Sequence, residues 1–154
     1  MQDLDYATHL KELRRTYIES LPAQRLHIAR TRLANPEHDP NLLVAHVAAV
    51  EGYARSVAMH LRANTKPALT EIYATYRNRS AEELVSEITM AIANASPQEY
   101  FGASVWDVFL FSVSYRNLLV HECTYLGQDR SVGLIESCKI VLDRLVDLAT
   151  ARAT

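Results

Sequence analysis

In Tyr115-Arg116-Asn117-Leu118-Leu119-Val120-His121-Glu122 an arginine and a histidine are separated by four residues, and an asparagine directly follows the arginine. A guanidinium offers a planar fork of donors that matches phosphate oxygens. An imidazole titrates near neutrality as a free side chain, so it can take or give a proton at physiological pH. Arg116 and His121 are therefore the residue types for acid–base chemistry beside a phosphate. The spacing alone carries no weight. With 13 Arg and 6 His in the chain, roughly one or two Arg-x4-6-His matches are expected by chance. Two others are present, Arg55 to His60 and Arg32 to His38.

Surroundings set the Arg116 copy apart. It interrupts the most apolar stretch of the sequence, a predicted helix from about Ala103 to Leu126 that carries Val105, Trp106, Val108, Phe109, Leu110, Phe111 and Val113. A polar side chain in such a helix needs a partner or a purpose. At about 100° per residue, Ser114, Asn117, His121, Tyr125 and Gln128 fall within an arc of about 80°. They form a polar seam in which Asn117 can touch His121, and His121 can touch Tyr125. Arg116 points about 140° away from His121 on a straight helix, in the direction of Asp107, Ser112 and Cys123. One helix therefore aims the two groups poorly at one phosphate. A two-fold axis would set seam against seam and gather two Arg and two His around one cleft, so the pattern predicts a homodimer.

The elements that must position these residues read as helices throughout. Leu10, Leu13, Tyr17 and Leu21 give the i,i+3/i+4 spacing of an amphipathic helix over about Asp3 to Leu21. A second follows Pro22, from Ala23 to Ala34, with Arg25, Arg30 and Arg32 on its outer face. Asn35 to Pro40 reads as a loop, and Asp39-Pro40 as a cap with proline at the first helical position. Asn41 to about Leu61 is rich in alanine and apolar nearly all round, which suits a helix packed against several neighbours. A short helix covers about Ala68 to Tyr76. Ser80-Ala81-Glu82-Glu83 is a capping box opening a helix to about Ala95. Ser96-Pro97 and Gly102 bracket a turn, Gly127 is placed as the C′ glycine that ends the Ala103 helix, and Ser131 to about Ala151 forms the last one. The expected fold is all-α, an antiparallel bundle of about five to seven helices in one domain over residues 1–154.

Composition agrees and narrows the function classes. The chain is 49% hydrophobic and 22% charged with a net charge of −2, ordinary for a globular protein and without global attraction to nucleic acid. The preference for Arg over Lys still allows local phosphate contact. No uncharged apolar run of about 18 residues predicts a membrane span. The first residues lack the basic and apolar regions of a secretory signal, so a cytoplasmic location is expected, with Cys123 and Cys138 as reduced thiols. His46 and His60 lie too far apart on one helix to share a metal, and no metal or other cofactor is expected. Glu51, set among apolar neighbours, has two readings: an i,i+4 pair with Arg55, or an acid that fixes Arg116 from the neighbouring helix. The motif residues have plain structural readings too: Arg116 in a buried ion pair with Asp107 or Glu51, and His121 as a core histidine hydrogen-bonded to Asn117 or Tyr125.

Arg116, Asn117 and His121, late in an all-α chain of this size, resemble the HEPN superfamily, whose signature is Arg-x4-6-His with a polar residue after the arginine. The resemblance implies a helical bundle, a two-fold dimer with facing motifs, and metal-independent RNA cleavage in toxin–antitoxin or phage-defence settings, with an antitoxin or other protein partner. One subgroup, paired with nucleotidyltransferase antitoxins, has a tyrosine two residues after the histidine; here Cys123 stands there and Tyr125 follows. Under this resemblance His121 would be the general acid or base for attack of a ribose 2′-hydroxyl on the adjacent phosphate. Arg116 would bind the phosphate and stabilise developing charge, and Asn117 would orient His121 or hydrogen-bond the phosphate. Ser114 and Glu51 would support the site, and Tyr125 would line the cleft or stack on a base. The alternative is a non-catalytic helical module that keeps the motif helix for binding or dimerisation.

Overall fold

The computed structural model describes residues 5–19, 21–24, 26–27, 41–63, 66–124 and 126–153. Among them every regular element is helical and no strand occurs. In chain order these are α1 (Tyr6–Glu19), α2 (Asn41–Arg62), α3 (Lys66–Tyr76), α4 (Ala81–Ile88), α5 (Pro97–Phe101), α6 (Ala103–His121) and α7 (Gln128–Ala153), with a π-helical turn over Thr89–Ala93 prolonging α4. Residues 22–24 and 26–27 are helical as well. Arg25, Arg30, Arg32 and the predicted loop from Asn35 to Pro40 lie outside the described residues.

Local signals account for most boundaries. Asp5 caps α1 by accepting from the Thr8 backbone N–H at 3.0 Å. The Ser80 hydroxyl accepts from Glu83 N at 3.2 Å, as the capping box predicts. Helix α4 does not run on to Ala95 as a regular helix. It widens at Thr89 and closes on Asn94 in the left-handed region, at φ 51°. The expected turn at Ser96-Pro97 is a short helix, with Ser96 capping Glu99 N at 3.3 Å and Pro97 in its first turn.

Helix α2 sits at the centre and packs against α3, α4, α6 and α7. Its buried stripe, Leu43, Val47, Val50, Ala54 and Ala58, steps by three and four residues, so one face stays in register with the core. Leu42 on another face is exposed, so the helix is less enclosed than its composition suggests. By length and mean hydropathy α2 could cross a membrane; its buried stripe and its ion-paired Glu51 and Arg55 are those of a core helix. Helix α6 answers with Trp106, Phe109, Tyr115, Leu118 and Leu119, and α7 with Leu134, Cys138, Val141 and Leu145. Phe101 stacks on Trp106 with ring centroids 5.7 Å apart, which locks α5 onto the start of α6.

The main departure from expectation is the end of α6. The helix stops at His121 instead of Leu126. Glu122 N donates to Leu118 O at 2.9 Å, and Cys123 turns the chain in the left-handed region at φ 51°. Five more helical residues would extend about 7.5 Å past His121. The turn instead buries Thr124 and Leu126. Gly127 does not close α6. Its carbonyl accepts from Ser131 N at 3.2 Å and so opens α7, three residues earlier than predicted.

Candidate functional site

Helix α6 begins at Gly102, whose φ of 90° and ψ of 141° suit a residue without a side chain. From there the buried positions Trp106, Phe109, Ser112, Tyr115 and Leu118/Leu119 recur every three residues, which fixes how the motif is displayed. Ser112 Oγ lies 3.0 Å from Val108 O, 3.0 Å from Leu134 O and 3.1 Å from Ser137 Oγ. This buried polar contact pins α6 to α7 just before the motif, where an unsatisfied hydroxyl would be costly.

Arg116 faces α2. Its NH1 donates to Glu51 Oε2 at 3.0 Å, and its Nε donates to Asn117 Oδ1 at 2.9 Å. Glu51 Oε1 accepts from Arg55 NH2, also at 3.0 Å. One carboxylate thus joins two guanidiniums, and the contacts expected under both readings of Glu51 form at once, the one with Arg116 being also the plain ion pair that Arg116 could make with Glu51. The side chains of Glu51 and Arg116 are each 20% exposed, so the pair is screened from water on most sides while an edge stays open. Arg55 is anchored further, its Nε donating to Tyr76 O and its NH2 to Arg79 O, each at 3.1 Å.

Asn117 and His121 lie on the exposed side of α6, and Ser114 is half-buried on the same face. Asn117 turns to Arg116 and not to His121. The His121 side chain makes no hydrogen bond or ion pair among the described residues. The expected seam is cut short, because Gln128 belongs to α7. Tyr125 lies outside the described residues. The structure therefore brings Arg116, Asn117 and Glu51 together with Arg55, and leaves His121 at the C-terminal end of the helix. Val120, the residue before His121, is 53% exposed.

Two further features escaped the sequence. His9 Nδ1 lies 2.6 Å from Tyr115 Oη, next to the motif arginine, and Tyr6 packs edge-on against the Tyr115 ring at 6.1 Å. Burial pushes the Tyr115 phenol up to about 12, and burial together with the Arg130 charge holds His9 below its ordinary value. A second polar cluster adjoins Arg55. There Glu87 accepts from Arg62 at 2.9 Å, from Arg79 at 2.8 Å and from the Tyr76 hydroxyl, with Arg79 over the Tyr76 ring at 4.1 Å. Residues 9 and 115 are too distant in sequence for any periodic signal to pair them.

Among the described residues no three His, Cys, Asp or Glu side chains gather as a metal site. His46 and His60 each donate from Nδ1 to the carbonyl four residues back, Leu42 O at 2.7 Å and Ser56 O at 2.8 Å. Compared with known families, curated proteins and solved structures, the chain matches none.

Proposed function

We propose that this chain is a HEPN-type endoribonuclease acting in the cytoplasm as a homodimer, a toxin or defence effector whose cleft forms where two copies of α6 meet. The observation that carries it is Arg116 oriented by Glu51 from α2, while Asn117 and His121 face outward on the same helix. A guanidinium held by a fixed carboxylate loses little freedom when a phosphate arrives, which favours charge stabilisation in the transition state. One imidazole takes the 2′-hydroxyl proton as the oxygen attacks phosphorus. The P–O5′ bond breaks, and the two-fold copy of His121 returns a proton to the leaving oxygen. The products are a 2′,3′-cyclic phosphate and a 5′-hydroxyl. Each role falls to a residue of the chain, so no metal step is required.

His121→Ala tests the proposal. Cleavage of a mixed RNA pool in chelator-containing buffer is expected to fall by about a hundredfold or more, with helicity and dimer mass unchanged. Wild-type protein that leaves varied RNAs intact sinks the enzyme. Exposed Val120 beside His121 favours the second reading, a module that uses the end of α6 for dimerisation alone. In that case His121→Ala changes no RNA and Val120 substitutions still separate the subunits.

A further inference from the structure

Arg116, Glu51 and Arg55 carry charges of +1, −1 and +1, and the single carboxylate is divided between the two arginines at 3.0 Å each. A carboxylate left alone with one guanidinium prefers the bidentate fork, with both oxygens on parallel donors. That arrangement would neutralise Arg116 and occupy an edge that a phosphate needs. In this structure it does not form: Arg55 takes Oε1, and Arg116 Nε is turned to Asn117 Oδ1. Arg55 cannot easily swing away, since its Nε and NH2 also donate to Tyr76 O and Arg79 O at the corner between α3 and α4. Arg79 is held in turn by Glu87 at 2.8 Å. Glu51 is therefore clamped with only Oε2 turned to Arg116. Two of the five N–H donors of Arg116 are engaged among the described residues, and the cluster keeps a net charge of +1.

We infer that Arg55 is a positioning residue for anion binding at Arg116: by sharing Glu51 it keeps the motif arginine electrostatically open to a phosphodiester. The inference rests on Arg116 as the phosphate-binding residue of the proposed ribonuclease. Arg55 does not touch the substrate. It acts through the carboxylate, from an anchor on a different pair of helices. One unit of charge a few ångströms from a partly buried phosphate site changes affinity by about tenfold, more at low salt than at high salt.

The test is fluorescence anisotropy with a labelled single-stranded oligodeoxyribonucleotide, which lacks the 2′-hydroxyl and so reports binding without cleavage. Arg116→Ala first sets the share of binding that belongs to Arg116. Arg55→Met is expected to weaken binding about tenfold, and Arg55→Lys, which keeps the charge, to retain most of it. Glu51→Gln is expected to tighten binding, and in that background Arg55→Met is expected to do little, because no carboxylate remains to be shared. A purely structural ion pair predicts otherwise: Arg55→Met would bind as wild type, or would lose as much in the Glu51→Gln background. Either result overturns the inference. If Arg55→Met fails to fold by circular dichroism, Glu51→Gln decides alone, and unchanged or weaker binding overturns it. Loss of the ribonuclease proposal looks different, with RNA left intact while the Arg116-dependent binding and its Arg55 dependence persist. Binding unaffected by Arg116→Ala removes both.

Discussion

Glu51 shows how one side chain can satisfy two demands that sequence spacing presents as alternatives. The i,i+4 relation to Arg55 is written in the helix periodicity, because residues four apart share a face. The contact with Arg116 spans 65 positions and needed the packing of α2 against α6. His9 and Tyr115 belong wholly to the second kind. The burial of His9 also carries a pH dependence. Burial and Arg130 hold the folded His9 below its ordinary value, while Glu12 and Asp129 pull the other way, and the Tyr115 ring packs beside it. Below about pH 6.5 the unfolded chain therefore binds a proton that the folded chain resists. Stability is complete above that value and falls as pH drops through the window. Urea midpoints at pH 7.5 and 5.5 should show this loss, and His9→Gln should shrink it; an unchanged difference in the variant would exclude His9 as its source. At the alkaline end the sign reverses. Tyr115 keeps its proton up to about 12, while an unfolded tyrosine loses it near 10, so stability should decline between those values.

Between elements, the boundaries decide what the motif can reach. Ser80 announced its helix, since a hydroxyl three residues before a free backbone N–H is a local device; Ser96 caps in the same way, yet the sequence was read there as a turn. Cys123 announced nothing. It adopts a left-handed conformation usually reserved for Gly or Asn, and the sequence offered Gly127 as the obvious stop. The turn at Cys123 is selected by burial of Leu126 and by the return of α7 along α6, neither of which is local. It also ends the polar seam at His121 and places that residue on a helix terminus. Gly102 is the opposite case, a glycine whose role follows from its backbone alone. An added Cβ there would meet no atom within 4 Å, yet φ is 90°. Gly102→Ala should therefore cost about 1–3 kcal/mol, all of it backbone strain at the junction of α5 and α6. A denaturant titration measures it, and a neutral substitution would show that the junction relaxes without resistance.

For the molecule as a whole, the proposed site is complete only in a pair. Arg116 lies against α2 and His121 faces outward, so under the proposal the arginine of one copy works with the histidine of the other. Light scattering should give twice the 17.4 kDa chain mass. Val120→Asp, a charge on the exposed residue beside His121, should separate the subunits and abolish RNA cleavage while circular dichroism stays unchanged. A variant that remains dimeric and active would move the interface elsewhere. The all-α architecture, the apolar character of α2 and α6, and the Ser80 cap were determined by the sequence alone, because each depends on backbone hydrogen bonds and side chains within a turn or two. Tertiary structure decided where α6 stops, that His9 meets Tyr115, and that Glu51 stands between two arginines. These depend on which helix faces lie together, and that is settled by the burial of the whole core rather than by any local pattern.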